Sequence, residues 1–184
     1  MVQHKSMAIM AYLMAIQAIL SATMYMPSLP DMAQQIAVSH RLIELTITIF
    51  YLGMVISALF WGILNDDMHH TKMTRLVLII SFIGHLILSL SNIYPIILLG
   101  RFIEGIGAMA CIITARTTLM TQYQGTMLIK YMNIFFLLFY GSPVIAPTLG
   151  GISHYLYNWH SGFAGLACFC FALLLWEISY NSNK

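Results

Sequence analysis

Residues 76–100 have the sequence LVLIISFIGHLILSLSNIYPIILLG, which contains no charged side chain. A bilayer core of about 30 Å needs roughly 20 consecutive apolar residues in one helix. Asn92, Tyr94 and Pro95 interrupt the apolar run with residues that favour a turn. This stretch therefore predicts the third and fourth of a series of membrane-spanning helices, joined by a short turn.

The composition of the whole chain favours the same class. Of 184 residues, 60% are hydrophobic and 8% are charged, whereas soluble domains average roughly 45–50% apolar and 25% charged residues. The formal net charge of +2 is too small to indicate a nucleic-acid partner. Cys111, Cys168 and Cys170 lie in apolar stretches without metal or redox spacing, so we interpret them as packing residues.

Uncharged intervals divide the chain into six predicted spans within one all-α transmembrane domain, residues 1–184. The approximate spans are residues 6–30, 43–64, 74–91, 95–119, 128–152 and 161–178. The first span resembles a secretory signal in its flanks, but it is longer than a typical signal and further spans follow. We therefore expect an uncleaved first helix in a lipid bilayer.

Basic residues predict the orientation. With six spans, both termini and the second and fourth loops share one side of the membrane. The basic residues on that side or at its interface are Lys5, Lys72, Arg75, Arg116, Lys130 and Lys184. Only Arg41 lies opposite. Because Lys and Arg concentrate in cytoplasmic loops, both termini are predicted to be cytoplasmic.

Arg101 and Glu104 are the most informative pair, because charges within a span are costly and usually face a cavity or a partner. Their spacing of three residues places them on one helix face. Two interpretations remain open: a structural ion pair that fixes packing, or a functional site. Gly105, Gly107 and Ala108 follow, and such small residues let neighbouring helices approach closely.

Several other residues are weaker candidates for a functional role. His85, in the third span, is either a neutral histidine bonded to a neighbour or a proton carrier. Tyr25, Met26, Tyr51 and Met54 are candidates for a pocket that accepts varied apolar molecules. Alternatively, these four side chains face lipid or each other.

Residues 101–108, RFIEGIGA, resemble the fourth-helix signature Arg-x-x-Gln-Gly-x-Gly-Ala of drug:proton antiporters in the major facilitator superfamily. The resemblance implies that Arg101 faces the central cavity and takes part in proton transfer. Glu104 replaces the usual glutamine. A carboxylate at this position could itself bind and release the proton.

A second resemblance involves the loop at residues 62–71, GILNDDMHHT, and the superfamily pattern Gly-x-Leu-x-Asp-Arg-x-Gly-Arg-Lys. Gly62, Leu64 and Asp66 match, whereas the basic positions do not. The resemblance implies a cytoplasmic latch between transporter halves, with Asp66 as its carboxylate and Arg116 as the partner. The aspartates and histidines of this loop could instead bind a metal, although we expect no metal site.

Residues 141–151, GSPVIAPTLGG, resemble the Gly- and Pro-rich fifth helix of these antiporters. Each proline removes a backbone hydrogen bond, and small residues permit a tight helix crossing. The resemblance implies a hinge, and its predicted residues are Gly141, Pro143, Pro147, Gly150 and Gly151. An ordinary kinked membrane helix is the alternative.

Residues 24–33, MYMPSLPDMA, resemble the first-helix sequence of Bcr/CflA-type, or bicyclomycin-resistance, exporters, which reads Asp-Met-Tyr-Leu-Pro-Ala-Leu-Pro-x-Ile-Ala. Thr23 stands where those exporters carry the aspartate and cannot titrate. We therefore predict that Thr23 lines the substrate cavity. Proton coupling is predicted to involve Arg101 and Glu104 instead. The resemblance implies a proton gradient and no bound cofactor.

The expected function is proton-coupled efflux of small amphipathic compounds across a bacterial inner membrane. Transporters of this fold have two six-helix halves with the substrate held between them, and this chain resembles the amino-terminal half. We expect a half-length or truncated form that pairs with a second six-helix half or forms a homodimer. The alternative is a non-transporting fragment or assembly partner. Nucleophile-elbow and zinc-protease motifs are absent, so no enzyme is expected.

Overall fold

A computed structural model describes residues 2–67 and 70–182, with side chains described for residues 6–62 and 71–180. The described elements are α1 (Val2–Thr23), a 3₁₀ turn (Met26–Ser28), α2 (Leu29–Gln35), α3 (His40–Asp67), α4 (His70–Leu90), α5 (Tyr94–Gln122), α6 (Gly125–Leu156) and α7 (Trp159–Ser182). Within these residues there is no strand.

Six segments are long and apolar enough to cross a membrane, which confirms the predicted fold class. They are Ser6–Gln35, His40–Gly62, Thr71–Leu90, Tyr94–Gln122, Gly125–Leu156 and Trp159–Tyr180. An even number of spans places both ends of the chain on one side, which we call the terminal face. The opposite face carries α2 and the turn between α6 and α7.

The first span is not one continuous helix. α1 ends at Thr23, and the chain continues through the 3₁₀ turn into α2, which ends at Gln35. Pro27 and Pro30 lie in the first turns of these two short elements. Since proline lacks an N–H and clashes with a preceding helical turn, it favours such a restart over an unbroken helix.

α5 lies at the centre of the bundle and packs against α1, α3 and α4. At Gly105, an added Cβ would overlap the backbone carbonyl of Phe50 on α3. At Gly107, it would overlap Ser81 on α4. The predicted close approach of helices at these small residues is therefore confirmed, and it fixes the rotation of α5 against both neighbours.

α6 is the most peripheral of the spans, with 17% of its most apolar window buried. It continues as helix through Pro143 and Pro147 and ends at Leu156. Gly150 is its tightest contact, because an added Cβ would overlap the backbone carbonyl of Met24. This contact joins α6 to the end of α1, beside the break in the first span.

Glu177, at the end of the predicted sixth span, is a buried carboxylate in the structure. It lies within α7 and is 8% exposed. It lines a cavity near the terminal face together with Thr74 and Thr118. The helix continues beyond Trp176, and Glu177 is packed into the bundle.

Candidate functional site

Five buried polar side chains meet inside the bundle, and we call them the buried polar cluster. The cluster consists of Gln17 and Ser21 of α1, His85 of α4, and Arg101 and Glu104 of α5. Four of them are 0% exposed and Ser21 is 1% exposed. Burying such groups is costly unless they bond one another, and these do.

Glu104 is the centre of the cluster. One carboxylate oxygen, Oε2, accepts from Nη1 of Arg101, one turn earlier on the same helix. The other, Oε1, lies 2.9 Å from Nδ1 of His85. The carboxylate is thus held between the guanidinium of Arg101 and the imidazole of His85.

The second ring nitrogen of His85 faces α1. Its Nε2 lies 2.7 Å from the amide nitrogen of Gln17 and 3.3 Å from the hydroxyl of Ser21. An amide nitrogen can only donate, so in this arrangement Nε2 accepts and the neutral imidazole carries its proton on Nδ1. Nδ1 and Oε1 of Glu104 are within ion-pair distance, but the N–H is not aligned for a hydrogen bond to that oxygen.

Arg101 has few other polar contacts. Its Nη1 also donates to the backbone carbonyl of Ser21, at 3.2 Å. The guanidinium lies 3.9 Å from the ring centre of Tyr25 and 4.4 Å from that of Phe50, where the negative aromatic faces stabilise its charge. Nη2 and Nε have no hydrogen-bond partner among the described residues. Glu104 is therefore its principal counter-ion.

Close helix packing sets these distances. At Gly84, an added Cβ would lie 2.7 Å from the backbone nitrogen of Glu104, so α4 and α5 touch next to His85. Tyr25, Phe50 and Phe163 lie around the guanidinium of Arg101. The charged pair is therefore enclosed within this one six-helix bundle.

The predicted substrate-cavity residues are dispersed in the structure. Tyr25 is buried against Arg101. Thr23 and Met26 are half-buried, and the Thr23 hydroxyl donates to the carbonyl of Ile19. Tyr51 is 45% exposed on α3, while Met54 packs against the core. Tyr25 is thus the member of this set that the structure joins to the charged pair.

The other predicted sites remain predictions. Gly62 and Arg116 are exposed, whereas the side chain of Asp66 lies outside the described residues, as do the proposed metal-binding histidines. No group of three His, Cys, Asp or Glu side chains suited to a metal occurs in the described part of the chain. Of the hinge residues, Gly150 is buried, Gly141, Pro147 and Gly151 are half-buried, and Pro143 is exposed.

Sequence analysis missed two members of the cluster and the placement of a third. Gln17 and Ser21 are uncharged, and their signal was a polar pair four residues apart within an apolar span. His85 was considered alone. Nothing in its own helix indicates that Glu104 of the following span is its neighbour.

An enclosed cluster of ionisable groups in a bundle of membrane-spanning helices is typical of membrane transport proteins. Residues 11–180 match the family model described as Major Facilitator Superfamily. The chain therefore belongs to that superfamily of membrane transporters.

Curated relatives are similar to this chain at low identity. An uncharacterized MFS-type transporter, YdgK, of Bacillus subtilis is 26% identical over 175 residues, which cover 94% of this chain and 44% of that protein. A bicyclomycin resistance protein homolog of Haemophilus influenzae is 29% identical over 76% of this chain and 35% of its own length.

The Multidrug resistance protein D of Escherichia coli is 22% identical over 94% of this chain and 42% of its own length. The chain thus spans less than half the length of the curated relatives named here. Two of these three relatives are named for drug resistance, and the matches confirm the predicted family likeness.

Proposed function

We propose that this chain is one half of a proton-coupled exporter of small amphipathic compounds, with Glu104 as the proton-binding group. The observation that carries the proposal is the fully buried carboxylate between Arg101 and His85. The names of the relatives, bicyclomycin resistance and multidrug resistance, support the substrate class.

The geometry suggests how a proton would act on the bundle. When Glu104 is ionised, its charge balances that of Arg101 and the pair is neutral. Protonation of Glu104 would remove that balance and leave Arg101 with aromatic faces and one backbone carbonyl as partners. Such a change favours a different packing of α5 against α1 and α3, which is how proton binding can shift a conformational equilibrium.

The proposed exporter needs more than this six-helix unit. Substrate pathways in such folds lie between two halves, and this chain spans less than half of its relatives. We propose that a second six-helix half completes the pathway, with a second copy of this chain as the alternative partner. The predicted latch at Gly62, Asp66 and Arg116 and the hinge of α6 would act between the two halves.

Efflux measurements test the role of Glu104. In bacteria that lack their own major drug exporters, we expect this chain, produced together with the second six-helix half, to lower the accumulation of a fluorescent cationic dye. Glu104→Gln should slow proton-driven efflux by about tenfold or more, since an amide cannot bind the proton. Glu44→Gln, which changes an exposed carboxylate of α3, is the matched control.

Normal efflux by the Glu104→Gln variant would show that Glu104 is not the coupling group. If the unaltered chain, present in the membrane together with that second half, exports nothing, the alternative function as a non-transporting assembly partner is favoured.

The proposed location is a bacterial inner membrane, with the terminal face in the cytoplasm. Alkaline phosphatase, active only outside the cytoplasm, should be active when inserted at Asn92 and inactive at Gln124. A fluorescent protein that folds only in the cytoplasm should give the reverse pattern. Activity of the phosphatase at Gln124 would contradict the orientation that the basic residues predict.

A further inference from the structure

A small cavity reaches the buried polar cluster from the opposite face. It lies between the end of α1, α6 and α7, and its lining includes Ser21, Tyr25, His154, Asn158 and Gly162. Its volume of about 10 Å³ is close to the roughly 10–15 Å³ that one water molecule needs. The outer lining is open, because Asn158 is exposed and His154 is half-buried.

The mouth of this cavity carries a contact between a histidine and a carboxylate. Nε2 of His154, on α6, lies 2.6 Å from Oδ2 of Asp31, on α2. The Asp31 side chain is 53% exposed and therefore in contact with water. The other ring nitrogen of His154, Nδ1, is buried and has no hydrogen-bond partner among the described residues. A water in the cavity would supply the missing partner.

The inner end of the cavity is already bonded to the site. Ser21 lines the cavity, and its hydroxyl donates to the backbone carbonyl of Gln17 at 2.9 Å. The same oxygen lies 3.3 Å from Nε2 of His85, so rotation of the hydroxyl would direct its proton to the ring. Nδ1 of the same ring lies 2.9 Å from Glu104. The imidazole therefore has one nitrogen towards the cavity and the other towards the carboxylate, while Arg101 and Glu104 are 0% exposed.

Resting on the proposed role of Glu104, we propose that this cavity is a proton-entry route inside the six-helix bundle, with Ser21 and His85 as its relay. A proton from water in the cavity passes through the Ser21 hydroxyl to Nε2 of His85. The imidazolium then releases its Nδ1 proton to Oε1 of Glu104. The relay ends with neutral His85 protonated on Nε2 and neutral Glu104, so one proton has moved and no other bond has changed.

Gln17 can accommodate both states of the ring. Its amide nitrogen donates to Nε2 when that nitrogen is unprotonated, and its Oε1 then has no partner among the described residues. Rotation of the amide by half a turn would let Oε1 accept from a protonated Nε2. The relay therefore leaves the imidazole hydrogen-bonded to α1 before and after the proton moves.

Other ionisable groups near the relay are few in the described part of the chain. Arg101 contacts the other carboxylate oxygen of Glu104, Oε2, and the ring of Tyr25 lies under its guanidinium. Cys111 of α5 and Cys170 of α7 are buried thiols, and Cys170 is near enough to Glu104 to interact electrostatically. At the mouth, Asp31 is the charged partner of His154.

Two glycine-to-alanine substitutions in α7 distinguish the effect of filling the cavity from the effect of changing the helix elsewhere. At Gly162, a methyl group would enter the cavity with Met24 Cε as its nearest neighbour, at 3.7 Å, an ordinary contact. At Gly165, an added methyl group would have no atom within 4 Å. Both alanines favour the helix, so Gly162→Ala fills the route without removing a polar group, and Gly165→Ala is its control.

The experiment follows protonation of Glu104 in the purified chain by infrared spectroscopy after a rapid drop in pH. The signal is the carboxylic-acid band that disappears in Glu104→Gln. We expect Gly162→Ala, Ser21→Ala and His85→Gln to slow its rise by about tenfold or more. Gly165→Ala and Ser28→Ala, the latter another hydroxyl of the cavity wall, should keep the original rate.

The outcomes distinguish the two proposals. If the band appears in every variant at the original rate, the proton reaches Glu104 by another path and this route is wrong, while the role of Glu104 stands. If Glu104→Gln removes no band at any pH, Glu104 does not titrate, and the proposed function fails together with the route. Slowing in Gly162→Ala with unchanged final amplitude supports the route.

Discussion

Glu104→Leu is expected to destabilise the bundle by about 3–5 kcal/mol, because it leaves the buried Arg101 without its counter-ion. Arg101→Met should cost less, since His85 can take up a proton and balance the remaining carboxylate. The double variant Arg101→Met/Glu104→Leu should recover most of the loss, because it leaves no uncompensated buried charge.

Reversible unfolding of the purified chain in mixed detergent micelles measures these free energies. Glu44→Leu is the control for removing a carboxylate from an exposed position on α3, and its effect should be within about 0.5 kcal/mol. Equal losses in Glu104→Leu and in the double variant would contradict the idea that the two charges depend on each other.

Gly150→Ala should be the most disruptive of the small substitutions in α6. The added methyl group would overlap the backbone carbonyl of Met24, and a backbone atom cannot turn aside as a flexible side chain can. α6 must therefore separate from the end of α1, and we expect a loss of about 3 kcal/mol, the upper range for overpacking. The same unfolding measurement gives the value.

Gly141→Ala is the matched control, because it lies in the same helix and an added methyl group there has no atom within 4 Å. It should leave the free energy of unfolding unchanged or raise it by about 0.5–1 kcal/mol, since alanine favours a helix over glycine. Equal stability of the two alanine variants would show that α6 does not depend on close contact with α1.

Gly150 belongs to the predicted hinge of α6, whereas in the structure it is a packing contact. Sequence analysis assigned Gly150 to a flexible segment with Pro143 and Pro147, because these residue types weaken or bend helices. In the structure the helix continues through both prolines, and Gly150 is where it touches α1. The residue type was informative, but its role as a contact depends on which backbone lies opposite.

The sequence by itself determined the class of protein, the six spans and the position of the charged pair. Apolar stretches of sufficient length, separated by short polar segments, leave few alternatives to a membrane bundle. Arg101 and Glu104 had to share a helix face because they are three residues apart on one helix.

Only the tertiary structure decided which groups surround that pair. His85, Gln17 and Ser21 belong to two other helices, and whether they meet Glu104 depends on the depth and rotation of each helix in the bundle. Close backbone contacts at glycines such as Gly84 and Gly105 set that depth and rotation. Periodicity within one helix carries no information about its rotation relative to another, so the relay to Glu104 emerges only from packing.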